Sequence, residues 1–415
     1  MAGRSGVFLI AVLAFALIVR VAATARFVGL DSVPDADSNP DQVDYEDFAS
    51  QLAAGNGYRP EDGELTARRP PGTSLSLWPV YAVTGRCFLA GRLWFCFLSA
   101  LSAVLAGLVC GRFFGMAAGR WTAVGLALYP GHFYYAMHFL SEPAFGLFTA
   151  AFCGLSFHSL RGPFGAKAKL SAVGAGMALG LSILTRPQAL LMIPLGAALL
   201  VVVPRLRRRQ RWVAAAIQLV VAAAILLPWV IRNHQVVGKA TISTIGGYTF
   251  WGANNAIIDG KPHRRGSWMP VNQLIKADTP VEGTEVEREA ATWEYGKRFL
   301  RENPERIPGL LAMKVVRLGS PFRDTPNRAV YWAFALSWMV AAPLVVAGIF
   351  LAWRRNRGAT AVLLLPVFAV LATALVFYGS TRFRDSICVV LISFAGVSLS
   401  ALQERLCRRK AALPT

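Results

Sequence analysis

Long apolar runs recur from one end of this chain to the other, and they decide most of what it can become. A bilayer crossing takes roughly 20 mostly apolar residues, within a range of about 17 to 25. Runs of this kind predict spans near residues 7–28, 87–110, 121–139, 143–160, 170–185, 187–203, 212–231, 329–353, 359–378 and 386–402. Lipid offers the backbone no hydrogen-bond partners, so such runs fold as helices. The expected fold is all-α and integral to the membrane, with about ten transmembrane helices in one polytopic domain over residues 1–415. The twelve residues "TSLSLWPVYAVT" (73–84) are apolar but short, and fit a re-entrant or interfacial piece. Composition agrees, because only 16% of residues are charged, where soluble domains carry about 25%. The first run starts basic, lacks a small-residue cleavage site and leads into further spans, which predicts an anchor and not a signal peptide.

Lys and Arg beside short loops stay in the cytoplasm. With both termini inside, the short inner segments, among them "RLRRRQR" and "RRNRG", hold 18 basic residues and one acid, Glu404. Of the remaining 22 acids, ten lie in residues 29–72, ten in residues 232–328, and the others are Glu142 and Asp385. All are expected to face outward. The net charge of +20 then reflects topology and anionic lipid headgroups, not nucleic acid. The expected location is the plasma (inner) membrane, multi-pass, with the site on the outer face. The six cysteines show no metal-ligand spacing, and neither disulfides nor a zinc site is expected. Arg20 and Arg92 are the main charges inside the runs, and neither has an acidic neighbour in sequence.

Two outer segments are too long for connectors, residues 29–86 and residues 232–328. In the second, "VEREAATWEYGKRFLRENPERIPGLLAMKVVRL" has apolar residues at helical spacing, with a new helix starting at Pro304. In the first, "DYEDFASQLAA" puts Tyr45, Phe48, Ala49 and Leu52 on one face, which suits a short helix on the membrane surface. Asp41 and Asp44 are placed to cap its start.

That first segment also carries Asp41, Tyr45, Ala49, Gly55, Gly57 and Arg69-Pro70-Pro71 in order. The series resembles the first outer loop of the GT-C glycosyltransferases, in particular the bacterial relatives of protein O-mannosyltransferases and lipid A aminoarabinose transferases. The family's usual Pro-x-Tyr-Pro is replaced here by "PPGTSLSLWP". Four later stretches resemble the family as well: "SEPAFG" with Glu142, "LTRPQALL" with Arg186, "PWVIRNHQVVGKATISTIGGYTFWGANN" with Arg232, Asn233, Asn254 and Asn255, and "YGSTRFRD" with Arg382 and Arg384.

The resemblance implies transfer of a sugar from a polyprenyl-phosphate donor to a protein, lipid or glycan acceptor on the outer side. It implies no permanently bound cofactor. A carboxylate can take the proton of an attacking hydroxyl; Asp41 is the candidate base, with Asp44 its local rival and Glu142 the third catalytic carboxylate. Guanidinium groups suit a leaving lipid phosphate, which points to Arg382, Arg384 and Arg232. Tyr45, Arg69, Arg186, Asn233, Asn254 and Asn255 are expected to bind substrate or order the site, with Arg69 a partner for Glu142. A transporter would also have many spans, but with repeat symmetry and ionisable groups near mid-membrane, whereas the acids here avoid the spans. A lipid-linked glycan ligase or polymerase shares the donor class and differs in donor chain length.

Overall fold

The computed structural model describes residues 2–36, 39–161, 165–202, 208–276, 279–325 and 327–411. Part of the basic segment expected to anchor the inner face, residues 203–207, lies outside the described residues, as does Asp37. Eight helices among the described residues are long and apolar enough to cross a membrane. In chain order the helices are α1 (Ala2–Phe27), α2 (Pro40–Ala53), α3 (Gly72–Thr84), α4 (Phe88–Phe114), α5 (Met116–Leu128), α6 (Pro130–Phe133), α7 (Glu142–Leu160), α8 (Ala166–Thr185) and α9 (Met192–Val202). They continue with α10 (Arg208–Val237), α11 (Gly246–Ala253), α12 (Ala256–Asp259), α13 (Glu285–Glu302), α14 (Ile307–Gly319), α15 (Arg328–Arg355), α16 (Arg357–Val376), α17 (Thr381–Ser386) and α18 (Cys388–Ala411).

Two of the ten expected crossings are shorter than a span. The run at 121–139 ends early because Pro130 drives Tyr129 out of helical backbone, to φ −74° and ψ 114°, which leaves α5 only 13 residues. The run at 187–203 starts in a 3₁₀ turn at Pro187–Leu191 and leaves the 11-residue α9.

A helix that stops inside an apolar bundle strands its last carbonyls. Arg20 answers this for α5: from the middle of α1, fully buried, it donates to the carbonyls of Leu126 (3.2 Å) and Ala127 (3.4 Å), to Ser99 Oγ (2.8 Å), and sits 2.7 Å from His132 Nδ1. Arg92 does related work one turn outward, donating to Met137 O (2.6 Å) and Ser32 O (2.8 Å) beside the Phe139 ring. The two charges without acidic neighbours in sequence are thus met by backbone carbonyls, those of Leu126 and Ala127 for Arg20 and those of Ser32 and Met137 for Arg92.

The bundle is held by close helix contacts of the kind small residues allow in lipid. α4 packs on α1, α5 and α7; α7 packs on α8, α8 on α10, and α18 on α5 and α15. A Cβ at Gly348 of α15 would sit 1.9 Å from the Phe394 carbonyl of α18, so any larger residue must push these helices apart.

α2, expected to bury one apolar face, is enclosed more fully than that. α2 buries Tyr45, Phe48 and Ala49 but also Gln42, Glu46, Asp47 and Gln51, because protein covers it on several sides. α3 packs along it, and Arg86 grips Glu46 (2.8 Å) and Glu61 (2.8 Å). The large outer segment docks onto the same loop through Glu285, at the start of α13. Its carboxylate accepts from Thr66 Oγ (2.6 Å), from the Ala67 amide (3.0 Å), and from the Thr244 hydroxyl.

Candidate functional site

Five short pieces of chain, most of them helix ends or turns, converge at the end of the bundle that carries the long loops. α2 starts where Asn39 is extended and Pro40 fits the first helical position, so Asp41 falls in the first turn. Arg69 precedes α3 in a loop pinned from beneath, since the Tyr58 hydroxyl donates to Arg69 O and Pro70 O (3.2 Å each) while its ring packs on Phe48 and Trp229. Glu142 opens α7. α8 ends at Thr185 because Pro187 follows, leaving Arg186 extended at φ −144° and ψ 109°. Arg382 lies in α17, which Ser380 caps by accepting the Arg382 amide (3.1 Å).

These pieces enclose a cavity of about 200 Å³, lined among others by Asp41, Tyr45, Arg69, Arg186, Tyr378 and Arg382. Along its wall runs an unbroken series of ion pairs from Asp44 through Arg69, Asp41, Arg382 and Glu142 to Arg186. Arg382 Nη1 donates to Asp41 Oδ2 (2.6 Å) and Nε to Glu142 Oε1 (2.5 Å). Arg69 Nη2 meets Asp41 Oδ1 (2.8 Å) and its Nε meets Asp44 Oδ2 (2.7 Å). Arg186 Nη1 donates to Glu142 Oε1 and to Ser141 Oγ, both at 2.8 Å. Burial pushes the Asp41 carboxyl up, but the guanidiniums of Arg69 and Arg382 outweigh it and hold it well below the usual carboxylate range. Burial likewise opposes the Arg382 charge, and Glu142 and Asp41 more than restore it. Burial and the Asp41 charge together raise the Tyr45 phenol.

Several sequence expectations change here. Asp41 does not cap α2: no side-chain cap bond forms at that terminus, and the carboxylate turns to the two arginines instead. The partners of Glu142 are Arg382 and Arg186, not Arg69, which Asp41 and Asp44 occupy. Arg384 does not line the cavity. It points the other way along α17, buried on the Trp338 ring (4.1 Å) and paired with Asp385 (3.0 Å), which the hydroxyls of Tyr129 and Tyr135 also reach (3.3 Å each). Two residues apart on a helix, Arg382 and Arg384 cannot share a face.

Arg232 also stands outside the cavity wall, donating to Thr66 O and Tyr58 O (3.1 Å) over the Trp229 ring, so it braces the first loop. Asn233 donates to Thr241 O (2.8 Å), and Asn255 caps α12 by accepting the Ile258 amide (2.9 Å). Asn254 holds the buried Lys314 of α14, whose ammonium reaches Asn254 Oδ1 (2.8 Å) and the terminal α16 carbonyls of Leu375 (3.0 Å) and Val376 (3.2 Å). Burial lowers that ammonium to about 8. Sequence reasoning passed over Ser141 and Tyr378, although both stand inside quoted motifs, "SEPAFG" and "YGSTRFRD". Among the described residues, no three His, Cys, Asp or Glu side chains converge as a metal site.

No family model matches the sequence, and no curated protein matches it by sequence. Solved structures do match. The oligosaccharyltransferase AglB of Archaeoglobus fulgidus, in complex with an inhibitory peptide and a dolichol-phosphate, overlays 97% of this chain at a TM-score of 0.56 and 13% identity. The chain spans about half the length of that enzyme, 51% of which is covered. ArnT of Cupriavidus metallidurans bound to undecaprenyl phosphate matches 98% of this chain and 80% of its own at 16% identity and a TM-score of 0.48. The Pmt1–Pmt2 O-mannosyltransferase complex of S. cerevisiae, bound to the sugar donor, matches 61% of this chain and 37% of its own at 17% identity and a TM-score of 0.44. The likeness to the oligosaccharyltransferase carries the conclusion: this multi-pass membrane protein has the GT-C glycosyltransferase fold.

Proposed function

We propose that this protein is a membrane glycosyltransferase that moves a sugar from a polyprenyl-phosphate donor to an acceptor on the outer side of the membrane. The observation that carries the reading is the cavity wall in which one carboxylate, Asp41, lies between two guanidiniums at 2.8 and 2.6 Å, in a fold shared with an enzyme solved with a lipid phosphate. The acidic loops around it are the segments that charge distribution directs outward.

The chemistry follows from the residue types. Attack by an acceptor hydroxyl on the anomeric carbon releases a proton and breaks the bond from that carbon to the phosphate oxygen, so electrons collect on the phosphate. Asp41 takes the proton, a contribution of about a hundredfold to ten-thousandfold. Arg382, with Arg69 and Arg186 beside it, stabilises the phosphate charge as it develops. Tyr45 and Tyr378 line the cavity and hold the sugar's position. The test is mass spectrometry of lipid-phosphate sugars and outer-surface glycans in cells with and without the protein. Loss of one glycan together with accumulation of one lipid-phosphate sugar is the expected result; no change in either pool would overturn the reading.

A further inference from the structure

Each of the three guanidiniums that line the cavity is already paired with one or two of the chain's own carboxylates. Arg382 spends Nη1 on Asp41 and Nε on Glu142, Arg69 spends Nη2 on Asp41 and Nε on Asp44, and Arg186 spends Nη1 on Glu142 and Ser141. Three guanidiniums face three carboxylates, so the wall is neutral as it stands. Glu142 is buried, with its side chain 4% exposed, whereas those of Asp41 and Arg382 reach the cavity at 24% and 22%.

From this arrangement we infer that a phosphate headgroup enters by exchange: it displaces the Asp41 carboxylate from Arg382, and in doing so frees Asp41 to act as the base. The inference rests on the donor reading above. It selects Asp41 over Glu142 as the displaced group because Glu142 is buried and held by two arginines and Ser141, while Asp41 opens onto the cavity. A phosphate presents the same oxygen geometry as a carboxylate to the guanidinium fork, so it replaces one acceptor with another and leaves no donor unpaired. The exchange also resolves a chemical difficulty. A carboxylate gripped by two arginines is a poor proton acceptor, and release from one of them restores its basicity only when the leaving group is in place. Catalytic competence is then tied to donor occupancy, which keeps the base weak when no lipid phosphate is bound.

The exchange makes an unusual prediction of sign, because the residue assigned to chemistry competes with the ligand. In detergent micelles, binding of farnesyl phosphate, farnesol and inorganic phosphate is measured for the wild type, Asp41→Asn, Glu142→Gln and Arg382→Ala. Asp41→Asn is expected to bind farnesyl phosphate about tenfold to a hundredfold tighter than the wild type, since a charge-assisted bond no longer has to be broken. Its affinity for farnesol should not move. Glu142→Gln is the contrast: Glu142 is not displaced, so its neutralisation should leave farnesyl phosphate affinity near the wild type's, and Arg382→Ala should lose the preference for farnesyl phosphate over farnesol. Inorganic phosphate following the same order would show that the anion alone drives the exchange; tightening confined to farnesyl phosphate would show that the lipid positions it. If Asp41→Asn binds farnesyl phosphate no tighter than the wild type, or no tighter than Glu142→Gln, while Arg382→Ala still loses it, the exchange is wrong and the donor reading stands. If the wild type and all variants bind farnesyl phosphate no better than farnesol, both fall.

Discussion

Asp41 and Glu142 share one guanidinium: Arg382 reaches the first at 2.6 Å through Nη1 and the second at 2.5 Å through Nε. The first turn of α2, the start of α7 and the six-residue α17 near the other end of the chain are thereby locked into a single ionic unit.

Neutralising Asp41 separates a structural role from a chemical one. Asn at this position keeps the size and one acceptor oxygen but cannot take a proton. Asp41→Asn is expected to lower transfer by roughly two to four powers of ten with the fold retained. Turnover with purified protein and a lipid-phosphate sugar checks this, with Asp44→Asn as the control. Near-normal transfer in Asp41→Asn together with its loss in Asp44→Asn would move the base by three residues.

Arg384 should matter for folding, not for the phosphate. Arg384→Ala leaves Asp385 buried with two tyrosine hydroxyls and only the more distant Arg323 as counter-charge, a change that costs about 3 kcal/mol. Lys restores the charge but not the planar stack on Trp338. Thermal unfolding in detergent should show the alanine variant lowest and the lysine variant between it and the wild type. Affinity for farnesyl phosphate in the folded fraction should stay unchanged, and a selective loss there would return Arg384 to the cavity.

Lys314 gives the alkaline side of the stability profile a definite sign. Its ammonium is lowered to about 8 in the folded chain, against roughly 10.4 when unfolded. Between those values the unfolded chain holds more protons, so stability contributed at this position rises with pH through that window and falls away as pH drops through about 8. The unfolding midpoint of the wild type, measured relative to Lys314→Met, is expected to climb between pH 7.5 and 10. A flat difference would mean the ammonium keeps its ordinary affinity for protons.

Topology is tested with reporter fusions. Fusions after Arg209 and Arg357 should report cytoplasm, and fusions within residues 40–70 and 240–320 the opposite side. A cytoplasmic reporter at residue 260 would place the cavity on the wrong face for an outer acceptor.

Much of this architecture is readable from hydropathy, because lipid imposes one rule on every span, and eight of the ten expected crossings appear as long helices. The other two runs form shorter helices for a local reason. Pro130 and Pro187 break runs whose mean hydropathy carries no trace of the break. Motif order singles out Asp41, Arg69, Arg186 and Arg382, which line one cavity, and Glu142, which pairs with Arg382 beside it, but the pairing itself is beyond reach of sequence. Whether a carboxylate caps its own helix or meets an arginine hundreds of residues away depends on tertiary packing, and the same limit placed Arg384 and Arg232 on the phosphate when each serves the scaffold.

The Glu285 clasp has a consequence for anyone exchanging parts between proteins of this fold. One carboxylate ties Thr66 and Ala67 of the 29–86 segment to Thr244 and α13 of the 232–328 segment, so the two segments are coupled through a single side chain. A chimera that imports either segment alone inherits an unmatched latch, and acceptor preference should transfer only when both are grafted together.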